Sequence, residues 1–168
     1  WLLEMYKVSI HIFLLSLVFS NILAHAGNRS GDIPRMNFEE FESLLKKDND
    51  TVYVINFWAT WCKPCVKELP DFERMHQEYA GKNVQVILVS LDFPNKYEEL
   101  LVPFVKNRNL QSRVIHLTDV DANKWIDKVN SSWSGAIPAT LIYSGKFRTF
   151  HEGSMNFDQL KSIVEPKI

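Results

Sequence analysis

The sequence predicts an α/β fold in which a central mixed β-sheet is flanked by helices. The segments 52–58 and 84–91 are almost continuously apolar, which is typical of buried strands, and the segment between them has apolar residues at helical spacing. A strand, a helix and a strand in this order form a unit with parallel strands. Near the C-terminus, segments 139–143 and 147–151 flank a short turn and predict an antiparallel hairpin. The predicted sheet is therefore mixed, with helices on both faces.

The composition is that of an ordinary folded domain. The chain has 168 residues, of which 46% are hydrophobic and 23% are charged, and this length predicts a single domain. Its 19 basic and 20 acidic residues give a net charge of -1. Because no positive charge is in excess to neutralise phosphates, we expect no nucleic acid among the partners.

The first 26 residues have the pattern of a secretory signal peptide. Met5-Tyr6-Lys7 is a short basic start, the run from Val8 to Leu23 is mainly apolar, and Ala24-His25-Ala26 matches a cleavage site. An uncleaved membrane anchor is the alternative: the apolar run is shorter than the roughly 20 residues that span a bilayer, but it reaches that length if flanking residues contribute. Either way we expect an extracytoplasmic protein, in the periplasm or cell envelope, where disulfides persist.

The rest of the chain divides into a tether and one domain. Residues 27–36 are mostly polar and contain glycine, which predicts a tether. The folded domain is expected to comprise residues 37–168.

Local signals predict each element in the first half of this domain. Asn37 is an N-cap residue for a helix over 38–47, which has acidic residues in its first turn and lysines in its last. The other elements predicted here are a strand over 52–58, interrupted only by Asn56, a helix from Pro64 to Gly81, and a strand over 84–91.

The second half has weaker signals. Segment 97–109 has helical apolar spacing, but Pro103 inside it either begins the helix or kinks it. Asn156 is the N-cap residue of a closing helix over 157–164. The remaining predicted elements are a strand over 113–117, a helix over 121–129, and the hairpin strands 139–143 and 147–151.

The two cysteines lie where a strand ends and a helix begins. Cys62 is expected at the helix N-terminus, where unpaired N–H groups and the helix dipole stabilise a thiolate. Lys63 adds a neighbouring cation, and Pro64 suits the first helical turn. Cys65 follows one helical turn later and is placed to attack a mixed disulfide on Cys62. The spacing predicts a pair that cycles between dithiol and disulfide.

Other uses of a CxxC pair fit the sequence less well. A zinc site needs four ligands, and the histidines of this chain are scattered. Haem attachment needs a histidine directly after the second cysteine, where this chain has Val66. An inert disulfide that closes so short a loop gains little stability. We therefore expect no metal and no cofactor besides the redox-active Cys62–Cys65 disulfide.

The motifs around the cysteines form a specific pattern. They are Asn56-Phe57-Trp58-Ala59-Thr60-Trp61-Cys62-Lys63-Pro64-Cys65, then Glu68-Leu69-Pro70, and, before a predicted strand, Ile137-Pro138-Ala139-Thr140. With these motifs the chain resembles the thioredoxin superfamily, and within it the exported TlpA/ResA-type thiol-disulfide oxidoreductases. The resemblance covers about residues 33–165.

The resemblance implies a thioredoxin-like fold with an N-terminal extension and a central insertion, at about residues 95–117. It also implies that Pro138 follows a cis peptide bond and that its loop faces the cysteines. Ile137 is then implied to offer backbone hydrogen bonds to a docked substrate.

Two further side chains receive roles from the resemblance. Asn56 stands where thioredoxin has a buried aspartate, and Glu68 is implied to replace that aspartate as proton acceptor for Cys65. The alternative for Glu68 is an ordinary acidic residue near a helix start. Trp61 is implied to form an apolar rim for substrate docking, and its alternative is a place in the core.

These observations predict an exported thiol-disulfide oxidoreductase that acts on protein disulfides in the reducing direction. Cys62 is the expected nucleophile, and Cys65 is the expected resolving thiol. We expect a monomer whose partners are oxidised client proteins, such as an apocytochrome c during cytochrome c maturation, and a membrane thiol electron donor.

Two alternatives come from other functional classes. A thiol peroxidase is one, because peroxiredoxins share the fold and have a threonine shortly before the reactive cysteine, as Thr60 precedes Cys62 here; the proline that begins their motif is missing. The other is a non-enzymatic peptide-binding or chaperone module that uses a groove between Trp61 and Pro138.

Overall fold

The computed structural model describes residues 33–168. It contains one domain built from strands and helices that alternate for most of the chain. The elements are β1 (Arg35–Met36), α1 (Phe38–Glu42), β2 (Val52–Trp58), α2 (Lys63–Glu78), β3 (Val84–Ser90), α3 (Val102–Asn107), β4 (Arg113–Leu117), α4 (Ile126–Val129), β5 (Ala139–Ser144), β6 (Phe147–Glu152) and α5 (Phe157–Val164).

The strands form a single mixed sheet in the order β1-β4-β3-β2-β5-β6. The pairs β1–β4, β4–β3 and β3–β2 are parallel, whereas β2–β5 and β5–β6 are antiparallel. The predicted parallel unit, the hairpin and the mixed sheet are therefore confirmed. All seven residues of β2 are buried, because this strand is covered on both faces and has a neighbour on both edges.

Helices cover both faces of the sheet, as the sequence predicts. Side chains of β2 alternate between the two faces: Val54 and Trp58 pack with α2 and α5, whereas Ile55 and Phe57 pack with α1 and α4. Asn56 points to the same face as Val54 and Trp58 because it lies two residues from each of them. This alternation places its polar side chain in the layer that contains α2.

The two predicted N-caps are confirmed. The side chain of Asn37 accepts a hydrogen bond from the N–H of Glu40, whose carboxylate accepts one from the N–H of Asn37. Asn156 forms the same reciprocal pair with Gln159. Each pair satisfies N–H groups that have no partner inside the helix.

Three predicted helices are shorter or less regular than expected. The first is α-helical only as far as Glu42 and continues as a 3-10 turn over Ser43–Leu45. The segment predicted over 97–109 begins as a π-helical turn, Tyr97–Leu101, and becomes α3 at Val102. Pro103 lies in the first turn of α3, directly after the π-helical turn, so the chain is helical on both sides of this proline. The segment 121–129 contains a 3-10 turn and the four-residue α4.

The predicted tether over 27–36 is wrong for its last residues. Arg35 and Met36 form β1, which pairs with His116 and Leu117 at the edge of the sheet. Ile33 is buried, and its carbonyl accepts a hydrogen bond from Tyr97. A two-residue strand has no periodicity, so only its partner strand reveals it. Residues 27–32 and the predicted signal peptide, 1–26, lie outside the described residues.

The central insertion implied by the resemblance contributes to the sheet. Residues 95–117 include α3 and β4, and β4 lies between β1 and β3. Among residues 33–168, no helix combines the length and the apolar character that a membrane span requires.

We expect Phe72→Ala to lower the free energy of unfolding by about 3 to 5 kcal/mol. Phe72 lies on α2, is fully buried and packs in the layer shared with α5, so its truncation leaves a cavity. Phe93→Ala is the matched control, because Phe93 is 58% exposed, and its effect should stay below about 0.5 kcal/mol. Urea unfolding of both variants measures the difference, and equal effects would contradict the assigned core.

Candidate active site

The cysteine pair lies at the carboxyl end of the central strand. β2 ends at Trp58, the chain turns, and α2 begins with Cys62 as its N-cap residue. Cys62 has an extended backbone (φ -87°, ψ 99°), and Pro64 occupies the first turn of the helix. The predicted position of Cys62 at a helix N-terminus is confirmed.

Cys62 and Cys65 form a disulfide, with their Cα atoms 5.3 Å apart. The structure therefore represents the oxidised form. The N–H of Cys65 points to Cys62 Sγ at 3.3 Å. In the reduced form the same N–H and the helix dipole face a thiolate on Cys62 and stabilise it.

The two cysteines differ in their access to solvent. Cys62 is 6% exposed, whereas Cys65 is fully buried. Of the two sulfur atoms, that of Cys62 is therefore the more accessible to an incoming disulfide. Lys63 and Pro64 lie exposed beside them. Because Lys63 is in solvent, its charge acts on Cys62 only through a screened field.

The loop before β5 lies against Cys62. Cys62 Sγ is 3.7 Å from the carbonyl oxygen of Ile137, and the Ile137-Pro138 peptide bond is cis, as the resemblance implies. Pro138 is buried and its carbonyl accepts a hydrogen bond from the N–H of Gly153. Ile137 is partly exposed. The backbone next to Cys62 is therefore held in place on the side of the site that faces β5.

Glu68 is not an ordinary surface glutamate. It lies on α2 one turn after Cys65 and is buried. One carboxylate oxygen accepts a hydrogen bond from Asn56 Nδ2 at 2.9 Å, and the other accepts one from the N–H of Met155 at 2.8 Å. Burial raises the pKa of Glu68 to about 7, although these hydrogen bonds act in the opposite direction. The site therefore contains a buried carboxyl group that exchanges its proton near neutral pH.

Asn56 connects this carboxyl group to the sheet. Its Nδ2 also donates to Thr140 Oγ1 at 3.1 Å, directly across the antiparallel pair of β2 and β5. Its Oδ1 is buried and has no hydrogen-bond partner among residues 33–168. The sequence motifs predict no hydrogen-bonding role for Thr140 or Met155. Thr140 could have been noticed in the sequence because it is a polar residue within an apolar strand. Nothing in the sequence indicates the backbone contact of Met155.

The two tryptophans near the site have different environments. Trp61 is 56% exposed, as a docking rim requires, so its core alternative is wrong. Trp133 is buried and packs against Phe57, with ring centroids 4.7 Å apart. Its indole N–H donates to the carbonyl of Ala136, two residues before Pro138. Trp133 therefore supports the cis-proline loop from within the core.

Asp92 is a second buried acidic residue that the sequence analysis missed. Its carboxylate accepts hydrogen bonds from the N–H and the hydroxyl of Thr60, the latter at 2.5 Å, and from the hydroxyl of Ser90. His116 Nε2 is 2.9 Å from the Asp92 carbonyl oxygen. Because Thr60 precedes Cys62 by two residues, Asp92 holds the loop that carries Cys62. The available signal was the position of Asp92, a polar residue two positions after β3, at the edge of the sheet where β2 also ends.

Comparisons with known proteins agree with this site. The model of the AhpC/TSA family matches residues 33–146. The thiol-disulfide oxidoreductase ResA of Oceanobacillus iheyensis is 32% identical over 114 residues, which are 66% of this chain and 54% of that protein. The sporulation thiol-disulfide oxidoreductase A of Bacillus subtilis is 25% identical over 164 residues, 94% of this chain and 96% of the relative.

A solved structure shows the same fold. The thioredoxin-related protein from Neisseria meningitidis serogroup B matches with a TM-score of 0.60 at 22% identity, over 73% of this chain and 87% of that one. The match supports a thioredoxin-like fold, and the relatives' names confirm the resemblance drawn from the motifs.

We expect the buried carboxyl group of Glu68 to make stability depend on pH. Because its pKa is about 7 in the folded protein and 4.5 ordinarily, the folded protein keeps a proton in this window that the unfolded chain has lost. The free energy of unfolding therefore falls as pH rises through the window, by roughly 3 kcal/mol from this group.

Urea unfolding between pH 4 and 9 measures this effect as the difference between the oxidised native protein and Glu68→Gln. The difference should change across the window and level off above it. Glu98→Gln is the control, because it removes an exposed carboxylate that is not part of the hydrogen-bonded group of Glu68, Asn56 and Met155. A difference for Glu68→Gln that is independent of pH would show that the carboxyl group ionises at its ordinary pKa.

Proposed function

The chain belongs to the AhpC/TSA family and is a thioredoxin-like thiol-disulfide oxidoreductase, and we propose that it works outside the cytoplasm as a reductase of disulfides in oxidised client proteins. The observation that supports this most directly is the position of Cys62: at a helix N-terminus, disulfide-bonded to Cys65 and 3.7 Å from the carbonyl before the cis proline. The predicted signal peptide or anchor, 1–26, supports the location.

In the first step, the Cys62 thiolate attacks one sulfur of the client disulfide. A bond forms between Cys62 and that sulfur, the client S–S bond breaks, and the second client cysteine leaves as a thiolate that takes a proton from solvent. The N–H of Cys65 stabilises the attacking thiolate. The client backbone lies along Ile137, where the rigid cis-proline loop presents a backbone edge beside Cys62.

In the second step, Cys65 releases the client. The Cys65 thiol loses its proton, for which Glu68 is the acceptor, and the resulting thiolate attacks Cys62 Sγ. The Cys62–Cys65 disulfide forms, the mixed disulfide breaks, and the first client cysteine leaves reduced. Two electrons have passed from the cysteine pair to the client. A carboxyl group with a pKa of about 7 suits this role, because it is a competent base at neutral pH.

The burial of the cysteines supports the proposed direction of transfer. Thiolates are disfavoured in buried apolar surroundings, and a pair that forms its thiolate reluctantly prefers the disulfide and donates electrons. Cys65 is fully buried and Cys62 nearly so, and the carboxyl group of Glu68 lies in the same layer. The helix N-terminus at Cys62 opposes this preference, and Lys63 adds to that opposition only weakly because it is exposed.

Sustained turnover needs a reductant from outside the domain. By resemblance we propose a membrane protein with a dithiol as donor, which is oxidised to a disulfide as it reduces Cys62–Cys65. An apocytochrome c during cytochrome c maturation is the kind of client that the resemblance suggests, and the protein is proposed to act as a monomer.

We do not favour the peroxidase alternative. The threonine that this alternative would use, Thr60, donates its hydroxyl to Asp92. Cys62 moreover has a resolving cysteine one turn away in a CxxC motif. Consumption of hydrogen peroxide with a thiol donor at a rate that exceeds reduction of protein disulfides would reverse this judgement.

Single cysteine substitutions test the assigned roles. We expect Cys62→Ser to abolish reduction of a protein disulfide, because no other thiol is accessible to the client. Cys65→Ser should instead accumulate a mixed disulfide between Cys62 and the client, because the resolving thiol is missing. Mass spectrometry under non-reducing conditions detects this adduct, and a fully active Cys62→Ser protein would contradict the mechanism.

The reduction potential of the cysteine pair tests the direction. We expect a value near or below about -250 mV, as in reductases. Equilibration of residues 27–168 with thiol buffers, followed by tryptophan fluorescence, measures it. A potential above about -180 mV would show an oxidant or an isomerase and would overturn the proposed direction.

A further inference from the structure

A cavity lies at the edge of the sheet opposite to the cysteines. Its walls come from the residues that follow α1, from α4 and the residues after it, and from the β5–β6 hairpin. Its volume of about 660 Å³ is in the range of small-molecule sites. β2 begins at Val52 on this edge and ends at Trp58 beside the cysteines, so about 20 Å of strand separates the two edges.

Positive charge converges on this cavity. Two acidic side chains line it, Asp48 and Asp127. Five basic side chains line it as well, and they come from all three parts of the wall: Lys46, Lys47, Lys128, Lys146 and Arg148. The whole chain has a net charge of -1, so the positive excess belongs to this place and not to the protein in general.

Most of this positive charge lacks an acidic partner. Lys46 is paired with Glu42 at 2.7 Å. Among residues 33–168, none of the other four basic side chains of the cavity forms an ion pair. Like charges around one cavity repel each other, and an anion placed between them is attracted by several at once. The cavity is therefore suited to an anionic ligand.

Arg148 is fixed in place without a ligand. Its Nη1 donates to the carbonyl of Leu45 at 2.8 Å, and its Nη2 donates to the carbonyl of Val129 at 2.9 Å. The guanidinium lies 5.6 Å from the ring centroid of Tyr143, its partner across the hairpin. A guanidinium has five N–H donors in a rigid plane, so the donors that remain are already oriented. Such pre-organisation lowers the entropic cost of binding an anion.

Phosphate is the anionic group that several surrounding cations favour most. A phosphate monoester carries about two negative charges and three acceptor oxygens, whereas a carboxylate carries one charge on two oxygens. Lysine and arginine both bind phosphate oxygens, and arginine does so with two parallel hydrogen bonds. A bilayer presents its phosphates on a flat surface, whereas these cations surround a cavity. The shape therefore favours a single soluble molecule.

We propose that this cavity binds a soluble phosphorylated molecule with two or more negative charges. Arg148 is the fixed contact, and Lys47, Lys128 and Lys146 are the surrounding cations. The inference is independent of the proposed oxidoreductase function, because no step of thiol exchange passes through this edge of the sheet. A ligand that binds only the folded protein also stabilises it against unfolding.

The test is a calorimetric titration of the native protein with inorganic pyrophosphate at pH 7 and about 20 mM salt, where screening is weak. We expect one saturable site. Lys128→Ala and Lys146→Ala should each weaken binding about fivefold, and the double variant about twentyfold. Both lysines are exposed, so these variants should keep the fold, which urea unfolding checks.

Lys106→Ala is the matched control, because it removes the same charge from another surface. Lys106 is exposed on α3, and its neighbour Phe104 packs on the face of the sheet that carries α2 and not α4. This variant should bind pyrophosphate within about twofold of the native protein. Equal weakening by Lys106→Ala and Lys128→Ala would show that net charge alone attracts the anion, and would overturn the site.

Three further outcomes would overturn the proposal. One is the absence of saturable pyrophosphate binding. The second is citrate binding as tight as that of pyrophosphate, which would show that the cavity does not select phosphate. The third is binding to vesicles of phosphatidylcholine and phosphatidylglycerol that needs Lys128 and Lys146 but that pyrophosphate does not displace, which would make this edge a membrane contact. Reduction of a protein disulfide is measured separately, so failure of either proposal leaves the other standing.

Discussion

The complete burial of β2 is the constraint on which the rest of this structure depends. All seven of its residues are covered, and it pairs with β3 on one side and β5 on the other. These pairings bring three loops to one edge of the sheet: the loop with Cys62, the loop with Phe93 and the loop with Pro138. The cysteine pair, the loop after β3 and the cis-proline loop are therefore neighbours because one strand needs two partners and two covering layers.

The same burial creates the chemistry of the resolving step. A polar side chain in a fully buried strand must find hydrogen-bond partners, and Asn56 finds them in Glu68 and Thr140. Glu68 is thereby held inside the layer that contains Cys65, where desolvation opposes its charge. A carboxyl group that would be ionised on a surface becomes a group that exchanges protons at neutral pH. The carboxyl group that accepts a hydrogen bond from Asn56 Nδ2 is thus also the group proposed to take the proton of Cys65.

Local signals were enough for most of the fold. Strand 52–58, strand 113–117 and helix 157–164 match the prediction to the residue, because continuous apolar patterns and N-caps act within a few positions. The failure at the start of the domain has a cause that lies far along the chain. Residues 33–36 were predicted to be a tether because two residues of strand have no periodicity, and their conformation depends on β4, more than 75 residues away along the chain.

The sequence by itself determined the cysteine pair, its place at a helix N-terminus and its redox chemistry, since all three follow from neighbours within one helical turn. It also determined the identity of the residues around Pro138, through a motif. Only the tertiary structure decided that Glu68 is buried, that Asp92 holds Thr60 and that Trp133 packs beneath the cis-proline loop. Burial and proximity are properties of packed layers, in which the partners come from distant segments, and no local pattern encodes them.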